Sequence, residues 1–287
     1  MQFPEITYYF PEKTLQLQSG MSIALRDEGA GRDTILFVHG LSSYIPAWDR
    51  NIPVLKEHFR TIAIDLPGYS HSQEGVFPGK MTFYAEVVAE IIEKLGLDKV
   101  TLCGHSMGGQ VVLTTALEYP DLVNKLILAA PAGLEPFTGT EIRKIKSVTR
   151  PEVYYSFTDE QIRQNYEANF CKMPPEAEFM IQDRIEMKSS PNFMDYCRVV
   201  VNSLNGMLNR PVHERLEEIE TETLVLFGEN DALIPHPALH RGMKPGDIAR
   251  IATDNMPNAM SVLFKECGHF LQFEKPREFN EAVLYFL

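Results

Sequence analysis

Short β-branched or aliphatic runs alternate with longer segments of helical period along most of this chain. That alternation restricts the fold more than any other feature. The runs are Thr34–Val38, Thr61–Ile64, Val100–Cys103, Leu126–Ala129, Leu224–Phe227 and Val262–Phe264. Helical segments separate several of them: Thr82–Leu95, with Phe83, Val87, Val88, Ile91 and Ile92 on one face, and Val111–Leu117, ended by Tyr119-Pro120. Another begins at Pro276 and runs to the C-terminus. Strands buried on both faces read as continuous apolar runs, and strands joined through helices pair in parallel. The pattern therefore predicts an α/β chain with a mostly parallel central sheet flanked by helices. Leu15–Gln18 and Met21–Leu25, on either side of Ser19-Gly20, predict an antiparallel hairpin at the sheet edge.

The alternation stops beyond Leu128. From Phe137 to Arg215, 79 residues hold no convincing strand but several helical patterns. Ile162, Tyr166 and Phe170 recur at i, i+4 and i+8, and Phe193, Cys197, Val200/Val201 and Leu204 are similarly spaced. Pro151, Pro174-Pro175 and Pro191 punctuate them as starts and stops. The expectation is a helical lid, 137–215, inserted into a core formed by 1–136 and 216–287. The lid carries 11 acidic and 11 basic residues, so the net charge of −12 (27 basic, 39 acidic) sits entirely on the core. Its aromatics, 9 of 79, are no denser than elsewhere. Composition alone thus leaves two readings of these helices, a substrate-binding face or simple packing on the body.

Composition excludes several function classes. An acidic chain with no basic stretch repels phosphate backbones, so nucleic acid is not an expected partner. Apolar runs such as Leu126–Ala130 fall far short of the roughly 20 residues that span a bilayer. Met1–Pro11 has no basic residue followed by an apolar stretch, so no signal peptide is expected. The four cysteines (Cys103, Cys171, Cys197 and Cys267) form no C-x-x-C pair and read as buried apolar fillers of a reduced, cytoplasmic protein. No H-E-x-x-H or paired C-x-x-C supplies metal-ligand spacing, so neither metal nor organic cofactor is expected.

Gly104-His105-Ser106-Met107-Gly108 has the form G-x-S-x-G, between the strand-like Lys99–Cys103 and the helix-like Gln110–Leu117. A serine hydroxyl is a poor nucleophile unless it is exposed, oriented and next to a base. A sharp strand-to-helix turn gives that exposure, and small residues two before and two after let strand and helix approach. The following helix directs free N–H groups toward a developing oxyanion. Glycine-rich strand–helix turns also cradle phosphates, but Gly104, Gly108 and Gly109 do not make G-x-G-x-x-G, and no P-loop motif occurs.

Taken together with four other landmarks in order, the chain resembles the α/β-hydrolase superfamily over nearly its whole length. These are His39-Gly40 closing an apolar strand, Asp65-Leu-Pro-Gly68, Gly228-Glu-Asn-Asp231 and Gly268-His269. The resemblance implies a nucleophile, acid and base in the chain order Ser, Asp/Glu, His. Of eight histidines, His269 alone has a strand-end position late in the chain. His39 belongs to the HG turn, and His105 reads as a buried structural residue, since adjacent side chains in an elbow diverge. His58, His71, His213, His236 and His240 lack that position. The resemblance places the acid at Asp231, with Glu229 and Glu135 as rivals, whereas Asp65 reads as ordering a turn. Backbone N–H groups of Met107 and Leu41 are the oxyanion donors it implies.

The reading is a serine hydrolase in which Ser106 attacks a carbonyl, His269 moves the proton and Asp231 holds the imidazole. A small, fairly apolar carboxylic ester is the expected substrate, because a neutral lid would expel water. Serine at 106 excludes the epoxide hydrolase and haloalkane dehalogenase chemistries that the resemblance associates with aspartate. Alternatives are carbon–carbon cleavage of a diketone-like substrate, acyl transfer to an alcohol or peroxide, and a ligand sensor with slow or no turnover. Oligomeric state is left open, as is any role for 243–257.

Overall fold

Eight strands form one sheet in the order β1-β2-β4-β3-β5-β6-β7-β8. They are β1 (Glu12–Gln16), β2 (Ser22–Glu28), β3 (Thr34–Val38), β4 (Arg60–Ile64), β5 (Val100–His105), β6 (Val123–Ala129), β7 (Glu222–Gly228) and β8 (Ala259–Phe264). The computed structural model describes residues 6–287. β2 pairs antiparallel with β1 and β4, and every pairing from β4 through β3 to β8 is parallel. The hairpin lies at the sheet edge as the sequence predicts, with both strands shifted by a few residues.

Parallel neighbours need crossovers, and helices supply them. In chain order they are α1 (Ile52–Leu55), α2 (Met81–Lys94), α3 (Met107–Glu118), α4 (Gly139–Val148), α5 (Pro151–Tyr155), α6 (Asp159–Glu167), α7 (Glu178–Met187), α8 (Phe193–Asn209), α9 (Pro245–Asn255), α10 (Leu271–Glu274) and α11 (Pro276–Phe286). α2 buries Val87, Val88, Ile91 and Ile92, the stripe read from the sequence, while Phe83 on the same stripe is only partly buried. β3 is buried at all five positions, and β5 at all six. The stretch 243–257 has a plain use: it contains α9, which buries Ile248, Ala249 and Ala252 and makes the β7–β8 crossover.

Three expectations are corrected. β8 is not a buried strand: as an outer strand it exposes Met260, Val262 and Leu263. Cys171 is exposed, in the turn after α6, while Cys103, Cys197 and Cys267 are buried. Phe170 lies beyond the last residue of α6 and packs instead on Phe270, with ring centroids 5.5 Å apart. Between β6 and β7, the described residues hold only helices and turns, α4 to α8 among them. α4 and α6 each start at a threonine capping box, Thr138 with Glu141 and Thr158 with Gln161.

Candidate active site

Ser106 stands between the last residue of β5 and the first of α3, with φ 53° and ψ −117°. Such a conformation costs a serine about 1–3 kcal/mol and persists only where neighbours enforce it. Its N–H donates to the Ala129 carbonyl at 2.9 Å, and its own carbonyl accepts from Ala132 N–H at 2.9 Å and Gln110 N–H at 3.3 Å. A Cβ on Gly104 would sit 2.3 Å from the Gly108 carbonyl oxygen, and one on Gly108 would sit 2.2 Å from that of Val38. Strand and helix therefore meet at a distance that only glycine allows.

The structure joins two of the sequence candidates directly. His269 Nδ1–H donates to Asp231 Oδ2 at 2.7 Å, both side chains being almost fully buried. The other carboxylate oxygen, Oδ1, accepts from Leu233 and Ile234 N–H at 2.8 and 3.0 Å, which fixes the carboxylate in its turn. A ring that donates through Nδ1 leaves Nε2 as the proton acceptor. Ser106 and His269 line the same cavity, with no hydrogen bond between them; such catalytic bonds often tighten only around a substrate.

The rival groups are occupied elsewhere. Glu229 is exposed to solvent, and Glu135 accepts from His236 N–H and His240 Nδ1. His39 is buried, takes the Leu66 N–H on Nε2 at 3.0 Å, and faces the Gly40 carbonyl through Nδ1 at 2.8 Å. Burial lowers its pKa to about 4. His105 is likewise driven well below its ordinary value, first by burial and then by the neighbouring His269. Its Nε2–H donates to the His269 carbonyl at 3.1 Å, so its role here is to prop the loop bearing His269. Asp65 orders a turn, as read: it accepts from the Ile45 and His71 N–H groups and from the Tyr8 hydroxyl. Burial pushes its pKa up to about 6 against those hydrogen bonds.

Two contacts could not be read from sequence. A Cβ on Gly40 would lie 2.8 Å from His105 Nδ1 and 3.1 Å from Ser106 Cβ, so the loop after β3 presses directly on the elbow. The next residue is Leu41, whose side chain lines the cavity. Glu274 gathers the Gly268, Cys171 and Lys172 N–H groups at 2.7, 3.1 and 2.7 Å, tying the His269 loop to the turn after α6. Neither interaction follows a motif.

Above Ser106 lies a cavity of about 480 Å³. Ser42, Gln110 and Phe270 line it, and α4 and α8 contribute Ile142, Ile145, Leu204 and Met207. Gln110 Nε2 donates to the Met207 and Arg210 carbonyls, at 3.0 and 2.9 Å, and so fastens α3 to the end of α8. Among the described residues, no lysine or arginine lines the cavity. Among the described residues, no group of three His, Cys, Asp or Glu side chains is placed to hold a metal ion.

Residues 33–276 match the family model of the alpha/beta hydrolase fold. The chain belongs to the α/β-hydrolase fold family. A 2-hydroxy-6-oxononadienedioate/2-hydroxy-6-oxononatrienedioate hydrolase of Pseudomonas putida is 30% identical over 98% of this chain and 98% of its own length. A 2-hydroxy-6-oxo-6-phenylhexa-2,4-dienoate hydrolase of Burkholderia cepacia is 30% identical over 94% of this chain and 92% of its own. The crystal structure of a probable hydrolytic enzyme from Pseudomonas aeruginosa superposes with a TM-score of 0.87 at 27% identity, covering 98% of this chain and 96% of that one. Within the α/β-hydrolase family these relatives support a hydrolase acting on a small molecule. No helix among the described residues is long and apolar enough to cross a membrane.

Proposed function

We propose that this α/β-hydrolase cleaves a carbon–carbon bond in a 2-hydroxy-6-oxo dienoate, with Ser106 as nucleophile, His269 as base and Asp231 as its orienting acid. The observation that carries this reading is the end-to-end similarity to two relatives named for such substrates. A 2-hydroxy-6-oxo dienoate contains no ester or amide bond. Hydrolysis therefore breaks the bond beside the 6-oxo carbon, releasing an acid and a dienol. That bond is breakable because the departing carbon, once the 2-hydroxyl is ketonised, leaves as an extended enolate.

The site can serve such a step. His269 Nε2 takes the Ser106 proton as Oγ adds to the 6-oxo carbon, and the Leu41 and Met107 N–H groups receive the oxyanion. The enolate departs and is protonated, and water activated by His269 then releases the acyl group. Segment 137–215 acts as a lid in this reading, its α4 and α8 residues excluding bulk water from the reacting carbonyl.

Arg184 favours an acidic substrate over a neutral one. Its guanidinium hydrogen-bonds the Ser42 carbonyl and the Tyr166 hydroxyl, both on residues that line the cavity, and lies 4.6 Å from the Tyr196 ring centroid. Its Nε is buried without a hydrogen-bond partner, and no carboxylate lies within ion-pair distance among the described residues. Asp183, next in sequence, accepts from the Tyr44 hydroxyl and feels the Arg184 charge, and both side chains line a small pocket behind the Tyr166 wall. A buried cation in that condition is stabilised by an arriving anion. The apolar walls favour the second reading, hydrolysis of a small apolar carboxylic ester. Steady-state kinetics with 2-hydroxy-6-oxo-6-phenylhexa-2,4-dienoate and with nitrophenyl esters decides between them. A higher kcat/KM for the dienoate is expected, and preference for the esters would reverse the assignment.

A further inference from the structure

Given the carbon–carbon hydrolase reading, Arg184, bonded to the Ser42 and Tyr166 wall, and Glu135, in the cavity lining, lie on opposite sides of the nucleophile. In the sheet order β3-β5-β6, the Ser42 loop follows β3, Ser106 follows β5 and Glu135 follows β6. Arg184 reaches the Ser42 wall, and Glu135 lines the cavity on the other side. A substrate carrying its carboxylate toward Arg184 must carry the group on its 6-oxo carbon toward Glu135.

Glu135 is 6% exposed, and that remnant faces the cavity. Its Oε1 accepts from His236 N–H at 2.6 Å and from His240 Nδ1 at 2.5 Å, while Oε2 accepts no hydrogen bond from the described residues. The far nitrogen of His240, Nε2, stands 3.5 Å from Glu141 Oε1, and Phe137 stacks on its ring at 5.1 Å. The His236 ring accepts the Ala238 N–H on Nδ1. Burial raises the Glu135 carboxyl above its ordinary range, opposed by those two hydrogen bonds. Two carboxylates, Glu135 and Glu141, thus stand on either side of the His240 ring, and among the described residues no lysine or arginine lines the cavity beside Glu135. Ile142 and Leu233 also line the cavity.

We propose that Glu135 is a specificity residue that excludes a second carboxylate, so that the substrate is a mono-acid whose 6-substituent is uncharged. A second carboxylate would be desolvated against like charge, a juxtaposition that costs enough to set partner choice. The phenyl compound fits this description. The nonadienedioate does not, although relatives named for each match this chain equally well in identity.

The test compares kcat/KM for the phenyl dienoate and the nonadienedioate in the wild-type chain and in Glu135→Gln. The wild type is expected to favour the phenyl compound by at least about tenfold, and the variant to reduce that ratio by about tenfold or more. A wild-type preference for the dioate, or a ratio unchanged in a folded Glu135→Gln chain, overturns the proposal. If the variant does not fold, the wild-type ratio still decides it. Nitrophenyl valerate and the nitrophenyl half-ester of glutarate form a second pair, differing only at the end of the acyl arm. Should neither dienoate turn over, the carbon–carbon reading fails, and discrimination between these two esters tests Glu135 by itself. Equal turnover of the esters overturns the exclusion, and absence of turnover in both series overturns both readings.

Discussion

Ser106 holds a left-handed φ that a non-glycine residue adopts only under constraint, and three backbone hydrogen bonds apply that constraint. Replacing it by alanine removes the hydroxyl without touching them. Ser106→Ala should therefore keep its thermal stability, lose labelling by a fluorophosphonate and lose about 10⁶ in turnover. Turnover near the wild-type level would exclude Ser106 as nucleophile. Asp231→Asn should cost about 10⁴, because an amide in place of Oδ2 no longer dictates which His269 nitrogen carries the proton. A small effect in kcat would mean that another group orients the imidazole. These candidates could be picked out in the sequence because each lies at a strand end in a fixed chain order. Glu135 was legible only as a rival acid. Its partners, His236 and His240, lie more than 100 positions along the chain, and no local spacing announces that pairing. Arg184 was equally hidden, since a helical arginine usually reads as a solvated charge.

At the scale of elements, periodicity identified the parallel strands and the longer helices, because burial on both faces leaves a continuous apolar run. It misjudged β8 for the same reason: Val262-Leu263-Phe264 reads as buried whether or not a neighbour covers it, and only sheet order reveals an outer strand. How separate elements dock was not legible at all. Glu274, in α10, is the clearest case, since one carboxylate accepts from both the His269 loop and the turn after α6. Without it, Gly268 would keep its close approach to that turn, where a Cβ would lie 2.5 Å from Cys171 N, but would lose the hydrogen bonds that set its register. Misplacement of about 1 Å at a catalytic group costs about 10²-fold. Glu274→Ala should lower kcat by up to about that factor with a smaller change in KM, and Glu274→Gln should restore part of it. Equal kcat in all three proteins would show that Gly268 and its glycine-only contacts position His269 unaided.

Across the whole molecule, acid stability should report the imidazoles that folding keeps neutral. His39 accepts the Leu66 N–H on Nε2 and faces the Gly40 carbonyl through Nδ1, so a second ring proton would displace the first of these bonds. Burial lowers its pKa from 6.5 to about 4. Between those values the unfolded chain binds a proton that the native chain refuses, and native stability must fall as pH falls through that window. The contribution of His39 to this loss reaches about 3 kcal/mol by pH 4. His105, lowered in the same direction, adds to it, whereas Asp65 runs the other way. Raised to about 6, Asp65 takes up a proton in the native chain before the unfolded one does, so its contribution grows as the solution is acidified. The opposing signs make the total a poor test and a difference a good one. Glutamine at position 39 can accept the Leu66 N–H but cannot titrate. Urea unfolding of the wild type and His39→Gln from pH 7.5 to pH 4 should give curves that converge on acidification, the wild type losing stability faster below about pH 6.5. Parallel curves would mean that His39 takes up its proton as readily in the native chain as in the unfolded one and that the turn after β3 is held by something other than a neutral imidazole.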